Sequence, residues 1–167
     1  MIVRDERAGD EAAIAAVTAA AFAGKPYSDQ TEPLIIERLR HARALTLSLV
    51  AEDEAEIVGH VAFSRIEIED GAPGWYGLGP VSVRPDRQGQ GIGGRLIREG
   101  LARLQALEAG GCALVGDPGY YARFGFRHSD ALSYPGLPPQ YFIVLLLRGT
   151  EPSGIVRFHP AFYGDAA

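Results

Sequence analysis

The sequence lacks most of the features that narrow a function quickly. It has one cysteine, Cys112, in 167 residues. That excludes an internal disulfide framework and a cysteine-rich zinc site, and it fits a reducing, cytoplasmic setting. It has one lysine, Lys25, against fifteen arginines. No lysine follows a glycine-rich loop, so a Walker-type phosphate loop is excluded. Long apolar runs are missing too: the longest, Phe142 to Leu147, falls far below the roughly 20 residues that a bilayer requires. Arg4, Asp5, Glu6 and Arg7 stand where an export signal needs an apolar core, so none is expected. Positive charge is not in excess. The net charge of −5 gives no general attraction to nucleic acid or to an anionic membrane. His41, His60, His128 and His159 are scattered without metal-ligand spacing, and no serine sits in Gly-x-Ser-x-Gly. No metal site is expected.

What is present is an ordinary globular composition, 47% apolar and 22% charged, of a length suited to one domain over residues 1–167. Ile2 to Arg4 reads as a short strand. Asp10 caps a helix over 11–23, with Ile14, Val17, Ala21 and Phe22 at helical spacing. Lys25 to Glu32 is a loop, and 34–42 a second helix. The period then changes to two. Strands are expected over 45–51, 57–69 and 76–83, with turns at 53–56 and 70–74. A helix over 94–107 is stopped by Gly110-Gly111. A buried-type strand over 112–115 follows, then a short helix that Asp117-Pro118 opens and Gly125 closes. Strands over 142–147 and 155–158 end the chain. The order is that of an α/β fold in which a meander feeds one βαβ crossover.

The most informative stretch is Val83-Arg-Pro-Asp-Arg-Gln88-Gly89-Gln90-Gly91-Ile92-Gly93-Gly94-Arg95-Leu96. Glycines ahead of a helix let several backbone amides converge, and the helix N-terminus adds partial positive charge. Together they suit a phosphate or diphosphate. Arg84, Arg87, Arg95, Arg98 and Arg103 make this the basic part of an acidic chain. Gly89, Gly91 and Gly94 also satisfy the dinucleotide fingerprint, with Asp117 near the spacing of a ribose-binding acid. Against that reading, five residues separate Val83 from the first glycine, whereas the Rossmann turn is tight. No second βαβ unit follows.

Gln88, Gly91 and Gly93 also fit Gln/Arg-x-x-Gly-x-Gly/Ala. On these residues, with "IVGHVAF", "LGPVSVRPDRQGQGIGGRLI" and "GDPGYYARFGF", the sequence resembles the GNAT superfamily of acetyl-CoA-dependent N-acetyltransferases. Within it, "GDPGYYARFGF" looks like a branch of uncharacterised, predicted acetyltransferases. The resemblance implies a single GNAT-type α/β domain with a mixed, mostly antiparallel sheet and flanking helices. Its two parallel central strands, near Val81 and Leu114, splay to admit acetyl-CoA. It implies that Gln88, Gly89, Gln90, Gly91, Ile92, Gly93 and Gly94 cradle the coenzyme A diphosphate, with Arg84 or Arg87 meeting a phosphate. The pantetheine arm lies along Val81, Ser82 and Val83 like an added strand. Tyr121, four residues before Gly125, takes the place of the family's acid.

Acetyl transfer to an amine needs a neutral amine, a donor toward the thioester oxygen and a proton for the departing thiolate. Tyrosine, ordinarily near 10, suits the last role. Tyr121 is preferred to Tyr120, and a backbone amide near Val81 or Ser82 serves the oxygen if the strand bulges. The chain departs from the family at Gly116-Asp117-Pro118-Gly119, where many members carry Asn and Ala; Asp117 then reads as a helix cap rather than a base. For the base, Glu67 and Glu69 compete with their reading as solvated strand ends, and His60 with its reading as a core histidine. Cys112 reads as buried and inert. Trp75-Tyr76 and Tyr134-Pro135 are candidates to line an acceptor pocket. The acceptor is a small-molecule or peptide amine, and the acidic balance favours a cationic one. A homodimer is compatible with the family and with the apolar 142–147 strand. Two other classes stay open: a coenzyme A-binding sensor without turnover, which would not need Tyr121, and a nucleotide-binding oxidoreductase.

Overall fold

The computed structural model describes residues 1–164. In chain order the elements are β1 (Ile2–Asp5), α1 (Glu11–Phe22), α2 (Glu32–His41), β2 (Leu47–Asp53), β3 (Glu56–Arg65), β4 (Glu67–Ile68) and β5 (Trp75–Val83). They continue with α3 (Ile92–Ala106), β6 (Gly111–Val115), α4 (Pro118–Tyr121), β7 (Leu132–Ser133), β8 (Phe142–Leu146) and β9 (Gly154–Arg157). Six strands form one sheet in the order β1-β2-β3-β5-β6-β8, and a small second sheet runs β4-β9-β7. In the large sheet only β5 and β6 pair in parallel.

Alternation along the strands assigns the two faces. His60 and Ser82 face α1, where Ser82 Oγ lies 3.2 Å from Thr18 Oγ1. Gly59 and Phe63 face α3: a Cβ at Gly59 would meet Leu96 and Ile92, and one at Gly100 would overlap the Phe63 ring. Ile92, Leu96, Ile97, Leu101 and Leu104 bury the apolar stripe of α3 on this side, in one cluster with Leu49, Val61, Phe63 and Leu114. A second cluster surrounds Trp75, Phe142 and Phe158.

The parallel pair is short. It joins only Trp75, Tyr76 and Gly77 to Gly111, Cys112 and Ala113. From Leu78 to Val83, β5 has no β6 partner, so the two strands separate as the sequence reading expected. On the other side, β5 bulges against β3: Val61 faces Val81, but Phe63 faces Leu78. Gly79 and Pro80 together oppose Ala62 there, one residue more than the ladder needs, and proline has no amide to lend to it.

Several expected boundaries move. The single strand over 57–69 is two. After Arg65 the chain leaves the large sheet, and Glu67–Ile68 pairs with β9 instead. Ile66 and Ile68 stay buried throughout, so the alternation continues while the partner changes. α3 begins at Ile92, not at 94, and ends at Ala106, before the two glycines. Glu108 makes the left-handed exit (φ 61) that Gly110-Gly111 were expected to supply. Asp10 heads α1 without capping it by its side chain; its carboxylate accepts instead from Arg4 and from the Arg7 amide, at 2.8 Å each. β8 is an edge strand, and its free side is bridged at Val144 by Arg127.

Candidate active site

A cleft of about 640 Å³ opens where β5 and β6 part. Its walls come from the 81–83 end of β5, the glycine loop, the start of α3, the short α4 and the loop after α1. A smaller groove of about 410 Å³ lies between α1 and α2, with Glu11, Glu37, Arg40 and His41 on it, and includes none of the glycine loop.

The glycine loop forms the phosphate-sized end of the cleft. Gly89 (φ 77) and Gly91 (φ 81) adopt the left-handed conformation that β-carbons disfavour. Gly91 is the residue that opens α3, and no side chain caps it. Among the described residues, the amides from Gly89 to Gly94 have no protein acceptor; the first helical bond across this end is Arg95 N to Gly91 O, 3.1 Å. These free donors lie at the positive end of a fifteen-residue helix, and all of the residues that carry them except Gln90 line the cleft. Gln88 ties the loop to the strand, donating from Nε2 to Val83 O at 3.0 Å.

The adjoining strand edge is available as well. Arg84 N donates to Val58 O at 2.8 Å. Given the register, Ser82 then makes the hydrogen-bonded pair with His60, and the backbone groups of Val81 and Val83 face the other way, toward the open side. Of the residues singled out from sequence, Val81, Ser82, Val83, Gln88, Gly89, Gly91, Ile92, Gly93, Gly94 and Tyr121 all line the cleft. Gln90 does not: its Oε1 accepts from Arg87 Nε at 3.1 Å.

Tyr121 closes the far wall. Asp117 starts its helix as a cap, its Oδ1 accepting from Gly119 N at 2.9 Å, which agrees with the cap reading over the base reading. The Tyr121 ring packs edge-on against Tyr120 (centroids 5.0 Å apart) and Phe126 (5.9 Å). Burial raises its phenol above the ordinary value, and Tyr120, Cys112 and Tyr27 add to the shift. Tyr121 is therefore a protonated donor at neutral pH. Tyr120 lines the cleft beside it.

The cleft's charged side chains are Lys25, Arg87, Arg98 and Arg123, and no carboxylate lines it among the described residues. Arg98 lies over the Phe124 ring at 5.0 Å and Arg123 over Tyr120 at 4.5 Å. Arg87 also holds Asp53 at 2.9 Å. Arg84 is spent on Asp86 and Glu56, at 2.7 and 3.0 Å, away from the cleft. Sequence reasoning passed over Arg123, Lys25, Phe22 and Tyr27 as site residues. Arg123 alone had a signal, its place two residues beyond Tyr121.

The other candidates fall elsewhere. Trp75 and Tyr76 are core residues, 2% and 6% exposed, so they line no pocket. Tyr134 packs on Phe142 and Phe158, and its hydroxyl meets that of Tyr163 at 2.9 Å. Glu67 and Glu69 are exposed and off the cleft; Glu69 Oε1 accepts from Ile155 N. Burial pushes the Cys112 thiol up. His60 is fully buried and belongs to a polar chain. Arg40 grips Glu6 with two bonds of 2.9 Å, and Ser48 Oγ donates to Glu6 Oε1 at 2.7 Å. Burial raises the Glu6 carboxyl, but the bonds from Arg40 and Ser48 outweigh it and hold the group below its usual range. Since Ser48 gives its proton to Glu6, it accepts from His60 Nε2, 2.8 Å away. His60 is thus neutral with hydrogen on Nε2, and burial pushes its pKa down to about 4.

Comparison with known proteins agrees with this geometry. A family model described as an acetyltransferase (GNAT) domain matches residues 45–128. The chain is 31% identical over 147 residues to the uncharacterized N-acetyltransferase YhbS of Escherichia coli (strain K12), covering 83% of this chain and 87% of that protein. It is similar to the crystal structure of a GNAT family acetyltransferase from Brucella melitensis in complex with acetyl-CoA. There the identity is 51% and the TM-score 0.86, over 96% of this chain and 97% of that one. The crystal structure of YhbS in complex with CoA superposes with a TM-score of 0.88 at 30% identity, over 97% of this chain and 91% of that one. A strand that parts from its parallel neighbour, an uncapped glycine turn at the foot of a helix and a family match across both make the chain a member of the GNAT family of acetyltransferases.

Proposed function

We propose that this protein transfers the acetyl group of acetyl-CoA directly to a primary amine, with residues 1–167 acting as one catalytic domain. The observation that carries the reading is the run of unpartnered amides from Gly89 to Gly94 beside an unpaired strand edge. A diphosphate matches the first and an amide-bearing arm matches the second. Acetyl-CoA brings both, and supplies an acyl group already activated as a thioester. The Brucella melitensis and Escherichia coli relatives, solved with acetyl-CoA and with CoA, support the same ligand here.

Gln88, Gly89, Gln90, Gly91, Ile92, Gly93 and Gly94 form the diphosphate cradle. Gln90 contributes only its backbone, because its side chain is turned to Arg87. Val81 and Val83 present the strand edge, while Ser82 between them keeps its backbone paired with His60. The Val81 amide, next to the Gly79-Pro80 bulge, faces the thioester oxygen and supplies the hydrogen bond that strengthens as that oxygen gains charge. Tyr121 holds the proton that the sulfur takes on leaving. Among the described residues no cysteine lines the cleft, and the Ser82 hydroxyl is turned to Thr18, which favours attack by the acceptor itself over a serine- or cysteine-bound acyl-enzyme. With only cations on its walls, the cleft gives no support to the cationic acceptor that the chain's acidity suggested.

Two measurements test the reading. Calorimetry with CoA and with pantetheine, which lacks the diphosphate, is expected to show tight binding for the first and at least ~100-fold weaker binding for the second, since charge-assisted bonds to the cradle are each worth about 1.5–3 kcal/mol. Thiol release from acetyl-CoA against a panel of amines then identifies the acceptor. Equal affinity for the two ligands would remove the cradle from the account.

A further inference from the structure

Lys25 is the only lysine of the chain, and it lines the same cleft as Val81, Gly91 and Tyr121. Its backbone is fixed there. Ala23 (φ −56, ψ 126) and Gly24 (φ 72) are the middle residues of a type II turn, closed by Lys25 N donating to Phe22 O at 3.1 Å. A second turn follows at once, with Ser28 N donating to Lys25 O at 3.1 Å, and Pro26 restricts the backbone between them. Phe22 and Tyr27 flank the lysine, meet edge to face at 6.5 Å and also line the cleft. Tyr27 and Tyr121 line the same cleft. Lys25 is exposed and has no ion-pair partner among the described residues.

The rest of the chain offers little competition. Every other basic side chain, histidines aside, is an arginine, whose guanidinium stays protonated and does not attack acyl groups. The one other amine is the Met1 α-amine, which lies 3.6 Å from Asp53 Oδ1 and off the cleft.

We propose that Lys25 is an acetylation site which each molecule fills for itself from acetyl-CoA held in its own cleft. The inference rests on the acetyl-CoA reading above. As the neutral amine, Lys25 Nζ forms a C–N bond to the acetyl carbon while the C–S bond breaks. The electron pair of that bond stays on sulfur. Tyr121 gives the sulfur its proton and is recharged by the proton that Nζ sheds, so the products are the Nζ-acetyl amide and free coenzyme A thiol. The change turns one of the cleft's four cations into a neutral amide, which weakens its hold on anionic ligands.

The test is incubation of the intact protein with isotope-labelled acetyl-CoA, followed by whole-protein mass and peptide mapping, alongside calorimetry with CoA. One label per chain is expected, on Lys25, at a rate per molecule that dilution does not change. Lys25 is expected to lead Met1 by at least about tenfold, the reverse of uncatalysed acetylation, where an α-amine reacts first because lysine holds its proton to higher pH. Lys25→Arg removes the label. Label led by or shared with Met1, no label, or a rate that falls on dilution overturns the proposal, while normal CoA binding in the same samples keeps the cofactor reading. Absent CoA binding overturns both.

Discussion

Tyr121 meets two demands at once. Its ring is held among Tyr120, Phe124 and Phe126, and its hydroxyl end reaches a cleft. Packing explains the ring; only chemistry calls for the hydroxyl. Tyr121→Phe keeps the packing and removes the donor. It is expected to lower kcat by at least ~10²-fold, the lower end for a general acid, with CoA affinity unchanged by calorimetry. Full activity in Tyr121→Phe on a working acceptor would pass the role to Tyr120 or to water. His60 allows a separate test, of stability. Its pKa is lowered by burial from 6.5 to about 4, so the unfolded chain binds a proton that the folded one refuses. The associated stability is present above pH 6.5 and is lost as the pH falls toward 4, by roughly 3 kcal/mol at the low end. His60→Gln, which keeps a donor for Ser48, is expected to be less dependent on pH across that window in urea titrations. An unchanged slope would place the titration elsewhere.

At the scale of elements, the glycines of α3 have different tasks. Those ahead of the helix leave amides open, whereas Gly100 lies against the Phe63 ring. Gly100→Ala adds helix propensity worth about 1 kcal/mol, but its methyl overlaps that ring and the sheet behind it cannot yield. Overpacking costs about 1–3 kcal/mol, so a net loss of up to about 2 kcal/mol is expected, read as a lower urea midpoint; a higher midpoint would show that the α3–β3 contact is loose. What sequence reveals about such elements depends on locality. The glycine loop was legible because its signal is local: a left-handed conformation and a helix start need particular residues at particular places. Asp117 was legible as a cap for the same reason. The switch of the chain from β3 to β4 was not, because Ile66 and Ile68 keep one buried alternation while the hydrogen-bond partner changes. Partner choice is non-local and leaves no mark in a period of two. Arg84 and Arg87 looked equivalent in sequence; carboxylates at Glu56 and Asp86 occupy the first, and only the second reaches the cleft.

Across the whole molecule, a net charge of −5 coexists with a cleft whose charged side chains are all cations. The acidic residues lie elsewhere on the surface, in pairs such as Arg103 with Asp5 and Arg127 with Glu151. Net charge is therefore no guide to the field inside the cleft, where the sign is opposite. The sheet serves that field. Pairing of β5 with β6 over only three residues opens the cleft, and the helix that follows aims its uncapped start at the opening. The most direct measurement is an amide-resolved NMR titration with CoA. The account predicts that the Gly89 to Gly94 amides shift together, downfield, in a saturable manner, with Val81 and Val83 following on the neighbouring strand. Saturable CoA binding that leaves those glycine amides unmoved would contradict it.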